Sequence, residues 1–526
     1  MTGTAGTRVL LRAALRRDRW QVLWWSLGVS TLYWSQAVGV DRLYATQDEL
    51  SAAAASMAGN SAMVAMAGPA RALDTVGGQV AWQSTAFGAI AVGLMSMVLV
   101  VRHTRAEEES GRDELVRAAA VGRMAPVLAA LLAVGAANVV VGAVTAGSLV
   151  AYGLAVPDSL ALGAGLALCG LAFTGAALVA AQLTASARSA LGLAGLVLGA
   201  AYALRAVGDV GTPVLTWVSP IGWYQAMHAF SGLTWWPALL LLAATGASLA
   251  LAAVLLHRRD IGGGLWPDRP GPAEAGARLG TPLGLAWRLQ RGLVVGWVAG
   301  LGLAGLAYGT IGDDVEELLG DSETVAELVT LGLPDPVAGF YATTLLLLAL
   351  AASGFAISSA VRPRAEEESG HVELLLSTAV SRGRWLGAHA AVTVAGSALV
   401  LAAGGLGTGV GYALVTGYGA ATGRYVLPAL AYLPAVLVLS GVARLLHGLR
   451  PRLLVLAWLP LGGAVAVVLL GPVLDLPGWL QGLSPFHHVP PVPAEDLTAT
   501  PVLVLTAVAT LLSLAGRFAF SRRDIG

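Results

Sequence analysis

Twelve stretches of this chain are apolar over the length a helix needs to cross a hydrocarbon core, about 20 residues at the helical rise. They run over 20–40, 81–101, 125–152, 160–183, 190–207 and 236–256, then over 292–312, 338–361, 386–415, 425–446, 453–474 and 500–520. Lipid offers no water to the peptide groups, so such runs must satisfy their hydrogen bonds internally and fold as helices. Hydrophobic residues make up 56% of the 526 residues and charged residues only 12%, about half the charged share of a soluble domain. The expected fold is an all-α polytopic membrane protein of twelve transmembrane helices.

The second half repeats the first. Arg105-Ala-Glu-Glu-Glu-Ser-Gly111 recurs letter for letter as Arg364-Ala-Glu-Glu-Glu-Ser-Gly370, and Glu114, Leu115, Val121 and Arg123 match Glu373, Leu374, Val380 and Arg382. Arg258-Arg-Asp-Ile-Gly262 returns as Arg522-Arg-Asp-Ile-Gly526, and Ser219-Pro220 as Ser484-Pro485. Six spans per half is an even number, so both halves enter the membrane in the same direction, as two parallel repeats. The organisation expected is a first repeat over 1–256, a cytoplasmic linker over 257–290 containing Pro267, Pro270, Pro272 and Pro282, and a second repeat over 291–526.

Orientation follows from the arginines. The chain has no lysine, and on this topology all but four of its 31 basic residues (Arg42, Arg71, Arg205 and Arg424) fall on one side, which the positive-inside rule makes cytoplasmic. Both termini are then inside. The basic stretch before the first span resembles a signal-peptide n-region, but the run after it is long and Trp-rich and reads as a retained anchor. Ser51 to Gly68 is read as an interfacial or re-entrant helix on the outer side, because a crossing there would put the two heptads on opposite sides of the membrane. Its counterpart, Asp313 to Leu333, is acidic and read as extracytoplasmic.

Each heptad directly follows the second span of its half. Read as one helix, the first copy pairs Arg105 with Glu109, Glu108 with Arg112 and Asp113 with Arg117 at i,i+4. Leu115, Val116, Ala119 and Ala120 form an apolar strip behind them. A short amphipathic helix along the membrane surface results. The second copy carries His371, Val372 and Leu376 where the first has Arg112, Asp113 and Arg117, so it is expected to lose two of the lacing pairs.

Several chemistries are disfavoured. A Walker A loop needs a lysine on the phosphates, and this chain has none. No drawn span contains an acidic residue of the kind ion-coupled carriers use. His389 near the start of the ninth span reads as interfacial. Cys169 stands alone inside a span, and no metal-ligand spacing is present. Tryptophans at both interfaces form the expected belt, with Trp217, Trp223, Trp235 and Trp236 the candidates for an apolar substrate path. Arg205 is read as balanced by Asp209 at i,i+4.

On the two heptads, their Glu-Leu and Val-x-Arg continuations and the two Arg-Arg-Asp-Ile-Gly ends, the chain resembles ABC transporter permeases of the ABC type-2 class, in particular the fused twelve-span actinobacterial exporters of polyketide antibiotics and other drugs. The resemblance implies a transport subunit of the bacterial plasma membrane, not an enzyme, that exports hydrophobic or amphiphilic cargo. It implies docking on a separate ABC ATPase, in two copies, through coupling helices: Arg105, Glu107, Glu108, Glu109, Gly111, Glu114 and Arg123 in one half, Arg364, Glu366, Glu367, Glu368, Gly370, Glu373 and Arg382 in the other. ATP and Mg would sit on the ATPase, with no cofactor or metal on this chain and no nucleic-acid partner. The alternative is an ion-coupled drug carrier of major-facilitator-like architecture.

Overall fold

The computed structural model describes every residue except 1–3, 45, 59–60, 260–262, 267–273, 275, 312–334, 475 and 525–526. Among the described residues the regular structure is helical throughout. The chain divides into two compact units, Met1–Gly271 and Pro272–Gly526.

The first unit contains α1 (Thr7–Leu43), α2 (Gln47–Ala58), α3 (Ser61–Ala67), α4 (Val76–His103), α5 (Arg105–Glu109), α6 (Arg112–Arg117), α7 (Ala125–Tyr152), α8 (Val156–Leu183), α9 (Ala187–Val210) and α10 (Trp236–Arg258). The second contains α11 (Pro282–Gly309), α12 (Pro336–Ala360), α13 (Arg362–Glu368), α14 (His371–Leu376), α15 (Arg382–Thr416), α16 (Val426–Ala431), α17 (Leu433–Leu449), α18 (Leu459–Leu474) and α19 (Ala499–Arg522). Among the described residues, eleven helices are long and apolar enough to cross a membrane. The twelfth predicted run lies within α1, whose 37 residues are ample in length but diluted by Ser, Gln and four Trp. The protein is an all-α polytopic membrane protein.

Helix ends run past the predicted apolar limits because polar residues at a terminus do not break a helix. This brings Asp18 into α1, where it is buried against His103 and sits 3.2 Å from Arg102. Pro282 opens α11 at its first turn, inside the segment read as linker. The tenth run is broken at Tyr432, and the eleventh begins as a 3-10 turn, Pro451–Trp458. The segment after the first span forms α2 and α3, of 12 and 7 residues, both too short to cross. Asp313 to Leu333 lies outside the described residues.

Small faces let these helices approach. Lipid tails are as apolar as leucine, so association in a bilayer depends on close packing more than on hydrophobic burial. A Cβ on Gly142 of α7 would stand 2.3 Å from the Gly163 carbonyl oxygen of α8, and one on Gly163 the same distance from that of Gly142. In the second unit α11 and α15 meet the same way, a Cβ on Gly407 falling 2.1 Å from the Gly302 oxygen. Buried polar groups supplement the contact: Asn138 of α7 donates to Ser96 Oγ of α4 at 2.9 Å.

Candidate functional site

Each heptad folds as a short helix, a glycine turn and a second short helix. The expected single amphipathic helix is therefore corrected: Gly111 stands at φ +72° between α5 and α6, and Gly370 at φ +74° between α13 and α14. A Cβ at either position would touch nothing, so the demand for glycine comes from the left-handed backbone itself. The turn breaks the helical register between the two short helices, and the predicted lacing changes accordingly. Arg105 pairs with Glu108 at 3.0 Å and not with Glu109, while Arg112 pairs with Glu107 at 2.7 Å and not with Glu108. The Asp113–Arg117 pair involves a side chain outside those described. The second copy forms the pair that corresponds to Arg105–Glu109, Arg364–Glu368 at 2.9 Å, while Val372 and Leu376 carry no charge in place of Asp113 and Arg117.

Inward-facing groups hold the turn to the end of the last helix in its unit. Arg105, 1% exposed, donates from Nε and Nη2 to the Ala181 carbonyl and from Nη2 to that of Gly263. Arg259 grips both oxygens of Glu108, at 2.6 and 2.9 Å, and donates to Gln182 Oε1 at 2.7 Å. In the other unit Arg523 lies 2.5 Å from Glu367, with His447 Nε2 2.8 Å and Arg364 3.5 Å from the same carboxylate. Glu366 meets Arg362 at 2.9 Å. The Val-x-Arg arginines converge on the same place: Arg123 donates to the Leu256 carbonyl, and Arg382 to those of Ser521 and Arg523. Cations at the carbonyl end of a helix are favourably placed against its dipole.

Glu107 also takes Arg17 of α1 at 2.5 Å, and Glu109 accepts from the Ala187 N–H at 2.9 Å, capping α9. The carboxylates of the first heptad thus tie its turn to α1, α9 and α10. Outward-facing groups come just after the glycine. Glu114 and Glu373 are exposed, and beside them Leu115 and Leu374 are 75% and 71% exposed. The strip expected to lie behind the charges therefore faces out.

At the opposite end of the first unit a cavity of about 370 Å³ opens. Trp217 and Trp236 line it, stacked with ring centroids 5.1 Å apart. Trp223 braces the rim by donating to the Trp217 carbonyl at 2.6 Å, while Trp235 precedes α10 as its N-cap. Asp209 is fixed by Arg205 at 3.3 Å and Thr216 at 2.8 Å. Arg205 is fully buried and donates onward to the Met66 carbonyl, so the local pair is present but the guanidinium is held inside the protein. His228 and Arg71 also line the cavity, with Gln225, Ser231 and Thr234, and burial together with the Arg71 charge holds His228 below its ordinary pKa. His389 is likewise corrected. It is 4% exposed, packed against Gln290 at 3.2 Å and beside the Ser359–Thr393 pair of 2.8 Å, because α15 faces α11 and α12 there.

Two comparisons with known proteins decide the family. Residues 279–521 match the family described as Multidrug efflux system permease Rv1217c, C-terminal domain. The whole chain is 39% identical over 531 aligned residues to the multidrug efflux system permease protein Rv1217c of Mycobacterium tuberculosis, covering 100% of this chain and 96% of that protein. The chain belongs to this permease family.

For a permease of this kind, the residues that sequence reasoning left unused are Arg259, Arg523, Gln182 and His447. The two Arg-Arg-Asp-Ile-Gly ends were legible as repeats, and their partners were not. The available signal was charge balance: each half offers one duplicated acidic motif and one duplicated basic motif, both flanking apolar runs at the same side of the membrane.

Proposed function

We propose that this permease is the membrane-spanning subunit of an ATP-driven exporter in the bacterial plasma membrane, with both termini cytoplasmic and two copies of a separate ATPase docked at the heptad turns. The observation that carries the reading is the pair of exposed Glu-Leu steps, Glu114-Leu115 and Glu373-Leu374, displayed past identical glycine turns and backed by buried ion pairs. An exposed leucine beside a carboxylate is a contact that a partner groove can bury. The absence of lysine supports a motor on another polypeptide, since a Walker A loop requires one; ATP and Mg belong to that partner. ATP-driven closure of the two motors would push on the turns, and the ion pairs to Arg259 and Arg523 would carry the movement into α10 and α19.

The cargo is a hydrophobic or amphiphilic drug or antibiotic, and the Trp217–Trp236 cavity is its outer station. Its aromatic stack and internally neutralised Asp209 suit an apolar, ring-bearing molecule.

The test is copurification. A tagged permease should retain a Walker A protein from its host membrane. Replacing Glu107, Glu108 and Glu109, together with Glu366, Glu367 and Glu368, by Ala should weaken that association or uncouple hydrolysis from efflux. Unchanged association and unchanged efflux in that variant would refute the docking assignment. An impermeant thiol reagent that labelled a Cys placed in Asp313 to Leu333 only after permeabilisation would reverse the orientation.

A further inference from the structure

A second cavity, of about 130 Å³, lies at the heptad end of the second unit between α12, α15, α17 and α19. Two guanidinium groups line it, those of Arg444 and Arg517. Arg444 Nη1 donates to Ser513 Oγ at 2.9 Å, but its Nη2 is buried without a hydrogen-bond partner. Arg517 lies against the start of α15, where a Cβ on Gly383 would fall 2.4 Å from its Nη2. Among the described residues no carboxylate stands within ion-pair distance of either arginine. Every other lining residue is uncharged apart from the buried imidazole of His389.

Arg517 is exposed at the surface of α19, while Arg444 is half-buried with its Nη2 enclosed; a cation at membrane depth without an anion is unfavourable and persists where something supplies the charge. Each arginine sits five residues before the end of its helix (Leu449 for α17, Arg522 for α19), roughly 7 Å in by the helical rise, which is headgroup depth. Next to it α19 turns Leu511, Leu514 and Phe518 outward, 66%, 53% and 57% exposed, a surface suited to acyl chains. The first repeat has no such arrangement: at the 264-residue offset that aligns Arg259 with Arg523, Arg444 and Arg517 correspond to Ala180 and Ala253.

We infer that Arg444 and Arg517 form a phosphate-binding site, present in the second repeat alone, that holds the headgroup of an anionic phospholipid. The guanidinium fork of Arg444 offers its unpartnered Nη2 to a phosphate oxygen, and Arg517 closes the pair from α19; charge-assisted bonds of this kind are the strong ones. Basic pockets between transmembrane helices recognise headgroups by the same chemistry. This inference does not depend on the ATPase or the cargo.

The experiment follows thermal unfolding of the full-length permease in neutral detergent against added phosphatidylglycerol, phosphatidylcholine or inorganic phosphate. Phosphatidylglycerol should raise Tm with saturation, and the other two should not. In R444Q/R517Q its apparent affinity should fall by roughly tenfold or more, the loss of about one charge-assisted hydrogen bond, while R444K/R517K should keep most of the effect. If the Gln variant is poorly folded, lipid retention by the Lys variant and the wild type in native mass spectrometry decides the matter. An undiminished phosphatidylglycerol shift in R444Q/R517Q, or an equal loss in a control R450Q/R452Q at the exposed end of α17, would overturn the site. An equal shift with inorganic phosphate would overturn the lipid assignment.

Discussion

Glu108 accepts both bonds of a bidentate pair from Arg259, 151 residues further along the chain, and Glu367 accepts a single bond from Arg523 Nη2 at 2.5 Å. Two duplicated motifs are thus partners of each other. The middle glutamate of the heptad is 7% exposed in the first unit and 5% in the second, and it anchors the turn to the last helix of the unit. The further partner differs as well: Gln182 bonds the arginine in the first unit, and His447 reaches the glutamate in the second.

Removing one member of a buried pair leaves the other charge uncompensated. Glu108→Gln should therefore cost about 3 kcal/mol, and Glu367→Gln a similar amount. Glu368→Gln, at a side chain 61% exposed, should cost well under about 1 kcal/mol. Thermal unfolding of the three variants in one detergent measures the contrast. A double-mutant cycle over Glu108 and Arg259 should return a coupling of about 1–3 kcal/mol.

The glycine turns make a separate prediction. Gly111→Ala and Gly370→Ala meet no atoms, so their cost is that of a left-handed alanine, about 1–2 kcal/mol. Asn tolerates that conformation better and should recover part of the loss. Unfolding midpoints in the order Gly, Asn, Ala at both positions would bear this out; a steric explanation predicts Asn, the larger side chain, to be worst.

Much of the fold was legible because lipid imposes it. Ala125–Tyr152 matches its predicted run to the residue, since both ends are set by punctuation, Pro126 in the first turn and Gly153 just past the last. The first helix extends well beyond its apolar run because Arg12, Arg16 and Arg17 continue a helix as readily as leucine does. The heptad was legible as an element and not as a shape. Its letters support continuous i,i+4 pairs, and Gly111 is unobtrusive among them, yet the backbone sign at that one residue decides which carboxylates turn inward. The cavity tryptophans illustrate the other limit: an interfacial belt and a cavity wall call for the same residues, and only packing separates Trp217 and Trp236 from Trp235.

That separation is testable. Trp217→Ala removes one ring of the stacked pair, worth about 0.5–1.5 kcal/mol beyond its area, and opens the cavity mouth. Efflux of ring-bearing drugs from cells carrying Trp217→Ala or Trp236→Ala should fall severalfold, with the double variant little worse than either single one because the two rings act as a unit. Trp235→Ala, outside the cavity lining, should leave efflux near the wild-type level. Accumulation of a fluorescent drug at matched permease abundance is the readout, and equal effects of all three substitutions would return these tryptophans to the belt.

Leu115 and Leu374 separate docking from internal support. Both side chains are exposed and outside the buried ion-pair clusters, so Leu115→Ser and Leu374→Ser should change stability by no more than about 0.5 kcal/mol. Burying a leucine in a partner groove is worth about 1.5–3 kcal/mol, so each substitution should weaken ATPase copurification by roughly tenfold or more. Glu108→Gln has the opposite signature, a lowered Tm with the exposed Glu-Leu surface unaltered in composition. Measuring Tm and ATPase retention on the same preparations distinguishes the two classes. A Leu115→Ser, Leu374→Ser double variant that unfolds normally and still retains its ATPase would show that the motor grips some other surface.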